Sequence, residues 1–182
     1  MWIGSKNLEQ CLHMADHQGF AARREESRRQ GKLRGIGVSN TIEATASGLL
    51  EHAEMRFDPT GTLTLLMGTH DHGQGHATTF KQVLFDKLGI DSDLVKFKYG
   101  DTDLVMAGTG TFGSRSVACG GTAVVIAAAK VIEHGKKIAA HILEAAEADL
   151  AFAQGKFAVA GTDKSISLID VAKTSFMPGR LP

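Results

Sequence analysis

The chain has 182 residues, 43% hydrophobic and 22% charged, with 20 basic residues balancing 20 acidic ones. That length can bury a sizeable core, and the composition is that of an ordinary folded domain. Zero net charge argues against nucleic acid or an anionic membrane as a bulk partner, since both select basic surfaces.

Two cysteines, Cys11 and Cys119, are too few and too far apart for a disulfide framework. Neither a signal peptide nor an apolar stretch of membrane-spanning length is read, so a cytoplasmic chain is expected.

In chain order, Leu8 to Met14 and Ala21 to Gln30 are expected as helices separated by Gly19. The basic run Arg23, Arg24, Arg28, Arg29, Lys32 and Arg34 is broken by Glu25 and Glu26 and reads as a solvated helix face. Leu33 to Thr45 is expected as a strand region whose glycines allow a bulge. Alternation over Ala53 to Phe57, a turn at Asp58-Pro59-Thr60-Gly61 and the run Thr62 to Met67 predict a hairpin.

Thr78 to Leu88 follows as an amphipathic helix closed by Gly89, and Val95 to Tyr99 as a strand. Val117 to about Ala151 is alanine-rich and predicts two helices divided near His134-Gly135. A small hairpin turns at Gln154-Gly155-Lys156, and Ser167 caps a short helix running to Lys173. The order gives an α+β fold, a mixed sheet with helices packed on it and glycine-rich loops at helix N-termini.

Those loops are Gly73-Gln74-Gly75-His76-Ala77-Thr78-Thr79 and Gly108-Thr109-Gly110-Thr111-Phe112-Gly113-Ser114-Arg115-Ser116. A helix start exposes free N–H groups and a partial positive charge, which suit an oxyanion. Glycine lets a ligand approach the backbone, while Gln74, Ser114, Arg115 and Ser116 offer donors for pterin, pyrophosphate or ribose. Neither loop is a Walker A. Gly108 to Gly113 spells Gly-x-Gly-x-x-Gly but lacks the acidic residue expected about 20 positions on. One such turn alone reads as a helix cap, whereas two in one short chain point to a bound cofactor.

Other chemistry-bearing residues carry less. His70, His72 and His76 have spacings that can converge on zinc, but the intervening glycines imply a bent loop and no second ligand cluster follows. Glu43, an acid in an uncharged stretch, is a candidate base if buried and otherwise a hydrogen-bonded structural acid. Cys119 among small residues reads as a buried apolar thiol.

Several motifs occur together and in order: Gly35-Ile36-Gly37-Val38 with Ile42-Glu43-Ala44-Thr45, Gly68-Thr69-His70-Asp71-His72-Gly73-Gln74-Gly75-His76, Gly100-Asp101-Thr102-Asp103, and Gly113-Ser114-Arg115-Ser116 before Gly120-Gly121. Through them Gly31 to about Val171, about three quarters of the chain, resembles the cofactor-binding large subunit of the molybdenum hydroxylases. That is the family of xanthine dehydrogenase, aldehyde oxidase and aerobic carbon monoxide dehydrogenase.

The resemblance implies molybdenum on a pterin dithiolene, extended to a cytosine dinucleotide, with no side-chain metal ligand. It places Gly73, Gln74, Gly75 and His76 of the first loop, and Phe112, Gly113, Ser114, Arg115 and Ser116 of the second, at the cofactor. Gly113 stands where the family's backbone nears the metal, and Phe112 either walls the substrate pocket or fills core. His72 and His76 recur in the family without binding metal.

The implied reaction hydroxylates an aldehyde, purine, N-heterocycle or carbon monoxide with water as oxygen source. Electrons leave through 2Fe-2S and FAD groups on partner subunits, in a dimer of heterotrimers. The family's Gly-x-Gly-Glu segment, which bears the catalytic base, is absent here, as are its Gly-Gly-x-Phe-Gly loop and Ala-Tyr-Arg segment. The chain is therefore expected to be an internal part of a longer subunit, inactive alone and without a catalytic residue of its own.

The expected organisation is a helical lead-in over 1–30, a partial cofactor-binding domain over 31–175 and an irregular tail over 176–182. The alternatives are a vestigial binding or assembly module and an unrelated nucleotide-binding protein.

Overall fold

The computed structural model describes residues 5–39, 43–46 and 50–182. The chain divides into two units, 1–42 and 43–182. The first contains α1 (Ser5–Met14) and α2 (Phe20–Arg29), as the sequence predicted. Between them the Asp16 carboxylate accepts the Gly19 N–H at 3.0 Å, and Glu25 and Glu26 of α2 pair with Arg28 and Arg29 at the surface.

The expected strand over Leu33 to Thr45 is not formed by its described residues. Residues 32–39 have no regular structure, and Leu33 is 98% exposed. An apolar run becomes a strand only when another strand pairs with it, and these residues have none. Residues 40–42 lie outside the described part.

In the second unit, β1 (Ala53–Phe57) and β2 (Leu63–Met67) form the predicted antiparallel hairpin, with Phe57 opposite Leu63. The Asp58 carboxylate shapes its turn by accepting the Thr60 and Thr62 N–H groups. Then α3 (His76–Leu88) crosses back to β3 (Val95–Tyr99), which lies parallel to β2. The three strands make a mixed sheet in the order β1-β2-β3. Gly89 ends α3 at φ +63. A Cβ there would meet the Gly155 and Gln154 backbone, so glycine serves both the left-handed cap and a close approach.

The long apolar stretch corrects one expectation. It is a single helix: a π-turn over Ser116–Gly121 runs into α4 (Thr122–Leu143) without a break at Gly135. There a Cβ would stand 2.8 Å from Phe157 Cζ, so the glycine makes room for an aromatic ring rather than a helix end. By length and composition Ser116–Leu143 also meets the requirement for crossing a membrane, contrary to the sequence reading. In this fold its Val124, Ala128 and Ala139 are core residues.

A second sheet, antiparallel throughout, follows: β4 (Leu150–Ala153), β5 (Lys156–Val159) and β6 (Ser165–Ser167). Gln154 and Gly155, both at positive φ, form the two-residue turn of the predicted hairpin. The strand β6 is not apparent from sequence because it is only three residues long. Ser167 Oγ accepts the Asp170 N–H at 3.0 Å and starts α5 (Leu168–Thr174). One apolar core gathers Leu63, Leu65 and Met67 from β2 with Phe80, Leu84 and Leu88 from α3, and reaches Phe157 and Leu168. The fold is α+β, as expected.

Candidate functional site

Parallel strands leave a sheet at the same end, which is where ligand-binding loops of such sheets gather. Met67 of β2 lies opposite Tyr99 of β3, so the two glycine loops begin side by side. They are joined directly. Thr111 Oγ1 donates to the His70 carbonyl at 2.6 Å. Gly68 and Gly108 are pressed backbone to backbone, so closely that a Cβ on either would overlap the other's Cα.

In the first loop a carboxylate of the chain sits at the helix start. The Asp71 carboxylate accepts the Gly73 N–H at 2.8 Å and the His76 N–H at 3.1 Å. The Gly73 bond is the main influence holding its acid below the ordinary 3.8, assisted by the charge of His76. A carboxylate of the chain itself thus takes the first N–H group of α3, that of His76, at the helix start where an anion was expected. Gln74 is exposed and folds over its own loop, its Oε1 accepting the His72 N–H at 2.5 Å.

His76 is buried, and its Nδ1 has no hydrogen-bond partner. Burial pushes its pKa below the ordinary 6.5, against the opposing pull of Asp71. The His70 ring lies 4.6 Å from that of His72 and edge-on to Tyr99 at 5.3 Å. Among the described residues, no three His, Cys, Asp or Glu side chains converge as metal ligands.

In the second loop Arg115 was expected to reach out to the cofactor. Its side chain is instead fully enclosed, 0% exposed, and faces protein. It pairs with Glu51 at 2.5 Å and donates to the carbonyls of Gly110 at 2.8 Å and Leu50 at 3.1 Å. Its guanidinium carbon sits 5.5 Å from the centroid of the Phe112 ring, which is itself half exposed. Arg115 therefore shapes the loop rather than presenting a donor at its surface.

Ser114, at φ +49, donates its hydroxyl to Glu43 at 2.7 Å, and Gly113 O accepts the Ala46 N–H at 3.1 Å. Ser116 Oγ lies 3.3 Å from Thr111 Oγ1. Glu43 is exposed and hydrogen-bonded, not a buried base, and Cys119 is half-buried in the π-turn. Sequence reasoning missed Glu51, although it too is an acid following an apolar stretch, Gly48-Leu49-Leu50.

Gly73, Gly75 and Gly110 take φ of +100, +78 and +106, and no described residue stands within 4 Å of where a Cβ would be. Positive φ makes glycine the favoured residue, and the open space beyond leaves bare backbone accessible. Gln74 and Phe112 are exposed in the same loops, so each loop offers bare backbone together with an exposed side chain.

Residues 10–181 match the molybdopterin cofactor-binding domain family. The chain is 39% identical over 139 residues to the carbon monoxide dehydrogenase large chain of Hydrogenophaga pseudoflava, covering 76% of this chain and 17% of that one. It is 33% identical over 178 residues to the nicotine 6-hydroxylase large subunit of Paenarthrobacter nicotinovorans, covering 91% and 22%. The structure of reconstituted CO dehydrogenase from Oligotropha carboxidovorans superposes with a TM-score of 0.70 at 32% identity, covering 92% of this chain and 23% of that one. The chain thus spans about a fifth of the length of these relatives. With fold and sequence in agreement, the chain belongs to the molybdopterin cofactor-binding domain family, within the large subunits of molybdenum hydroxylases.

Proposed function

We propose that this chain forms one wall of the molybdenum–molybdopterin site in a molybdenum hydroxylase large subunit, holding the cofactor in its cytosine dinucleotide form. The observation that carries this reading is the junction of the two glycine loops at the end of the parallel β2–β3 pair. When bound, the cofactor supplies hydroxylation of an aldehyde, purine, N-heterocycle or carbon monoxide with oxygen from water.

On this reading the bare backbone at Gly73 and Gly75 lies against the pterin, and Gly113 stands near the metal. The Gln74 amide and Ser116 hydroxyl give it hydrogen bonds, and Phe112 borders the substrate. His76 backs the first loop from within, while Ser114 and Arg115 hold the second in shape. No residue here acts as the catalytic base, so the chain alone does not turn over. The rest of the large subunit and iron–sulfur and FAD subunits complete the enzyme, in the cytoplasm and as a dimer of heterotrimers. The cofactor-binding part corresponds to 31–175, with 1–30 as a lead-in.

The test is to express the chain in a host that makes the cofactor, then assay the purified protein for molybdenum and for pterin released by acid. Both are expected to co-purify. Gln74→Ala should lower retention about three- to tenfold, the scale of one or two lost hydrogen bonds. A folded chain carrying neither molybdenum nor pterin would sink the assignment.

A further inference from the structure

Glu51 joins both glycine loops from beneath. Its side chain is 1% exposed and its partner Arg115 is 0% exposed. One carboxylate oxygen abuts the Gly68–Gly108 contact, where a Cβ on Gly108 would come within 2.7 Å of it. The other accepts the Gly110 N–H at 3.4 Å and the Arg115 Nη1–H at 2.5 Å. Arg115 carries the connection onward to the Leu50 and Gly110 carbonyls and to the Phe112 ring. Burying two opposite charges adds little stability over apolar packing of the same volume, whereas directional bonds fix geometry.

We propose that Glu51 is a positioning residue that couples the two loops. Through Arg115, and through the Gly68–Gly108 contact it backs, it locks residues 108–116 against 68–76 and sets the angle of Phe112 before any ligand arrives. The coupling concerns the loops themselves and stands apart from what they bind.

Hydrogen–deuterium exchange of the full chain decides it, comparing wild type with Glu51→Gln and Glu51→Asp. Glu51→Gln keeps the size and removes the charge facing Arg115, while Glu51→Asp keeps the charge and withdraws it by one methylene. In Glu51→Gln the amides of both 68–76 and 108–116 should exchange about tenfold faster or more, with β1, β2 and the second sheet still protected. Glu51→Asp should recover part of that protection. Acceleration in 108–116 alone, or in neither loop, overturns the coupling.

Should Glu51→Gln open the whole chain, Glu51→Asp decides: loosening confined to the two loops supports the proposal, and uniform loosening overturns it. Pterin content adds a separate readout that rests on the proposed function. It should fall in Glu51→Gln and not in Glu54→Gln, which disrupts only the surface pair with Arg56. Wild type without pterin would defeat the proposed function and leave the exchange result to judge the coupling.

Discussion

Two joints in the 43–182 unit are closed in opposite ways. Where α4 meets the second sheet, the contact is dry: Gly135 opens a notch that Phe157 fills, with Leu168 Cδ1 beside it. Where the glycine loops meet, the contact is polar, built from Glu51, Arg115, two carbonyls and the Thr111–His70 bond. The dry joint gains free energy from buried area, which is indifferent to direction. The polar joint gains little net free energy but fixes atoms in place, as suits loops that must present backbone to a ligand.

The largest expected effect separates these two logics. Arg115→Met alone leaves the Glu51 carboxylate buried without its cation and should destabilise the chain by about 3–5 kcal/mol. Adding Glu51→Leu should restore most of that loss, because two apolar side chains need no partner. Urea unfolding of the two variants measures the difference. A double variant as unstable as the single one would mean that the charges do not set the cost, and the contrast between joints would fail.

A smaller effect is expected at the dry joint. Alanine is a better helix former than glycine by about 1 kcal/mol. At Gly135, however, its methyl would stand 2.8 Å from Phe157 Cζ, so overpacking by about 1–3 kcal/mol should match or exceed that gain. Thermal unfolding of Gly135→Ala should show a Tm at or below that of wild type. A clear rise would show that Phe157 has room to move and that the notch is not tight.

The same contrast explains what could be read from the sequence. The β1–β2 and β4–β5 hairpins, the Gly89 cap and the Ser167 cap were legible because each depends on a few neighbouring residues. Both loops were legible as glycine patterns, and their meeting followed from the parallel pairing of β2 and β3. The helix break expected at Gly135 failed because the reason for that glycine lies on Phe157, in another element. The strand expected over Leu33 to Thr45 failed in its described residues for want of a pairing partner among them. The pairing of Arg115 with Glu51 was not legible, because Glu51 is 64 positions away and no local signal links them.

The smallest effect tests whether the first glycine loop answers to pH. Burial holds His76 below the ordinary 6.5, so the unfolded chain binds a proton there at a pH where the folded chain does not. The stabilising contribution of neutral His76 is therefore full above 6.5 and is lost as pH falls through its folded value. Asp71 is displaced in the same direction from 3.8, so its contribution fades only in more acidic solution and leaves the earlier window to His76 among these two. Between about pH 7.5 and about pH 5, unfolding free energy should decline more steeply in wild type than in His76→Gln. Phe157 carries no proton, so Phe157→Leu should lower stability at every pH and leave the slope alone. Equal slopes for wild type and His76→Gln would detach His76 from the pH response of the first loop.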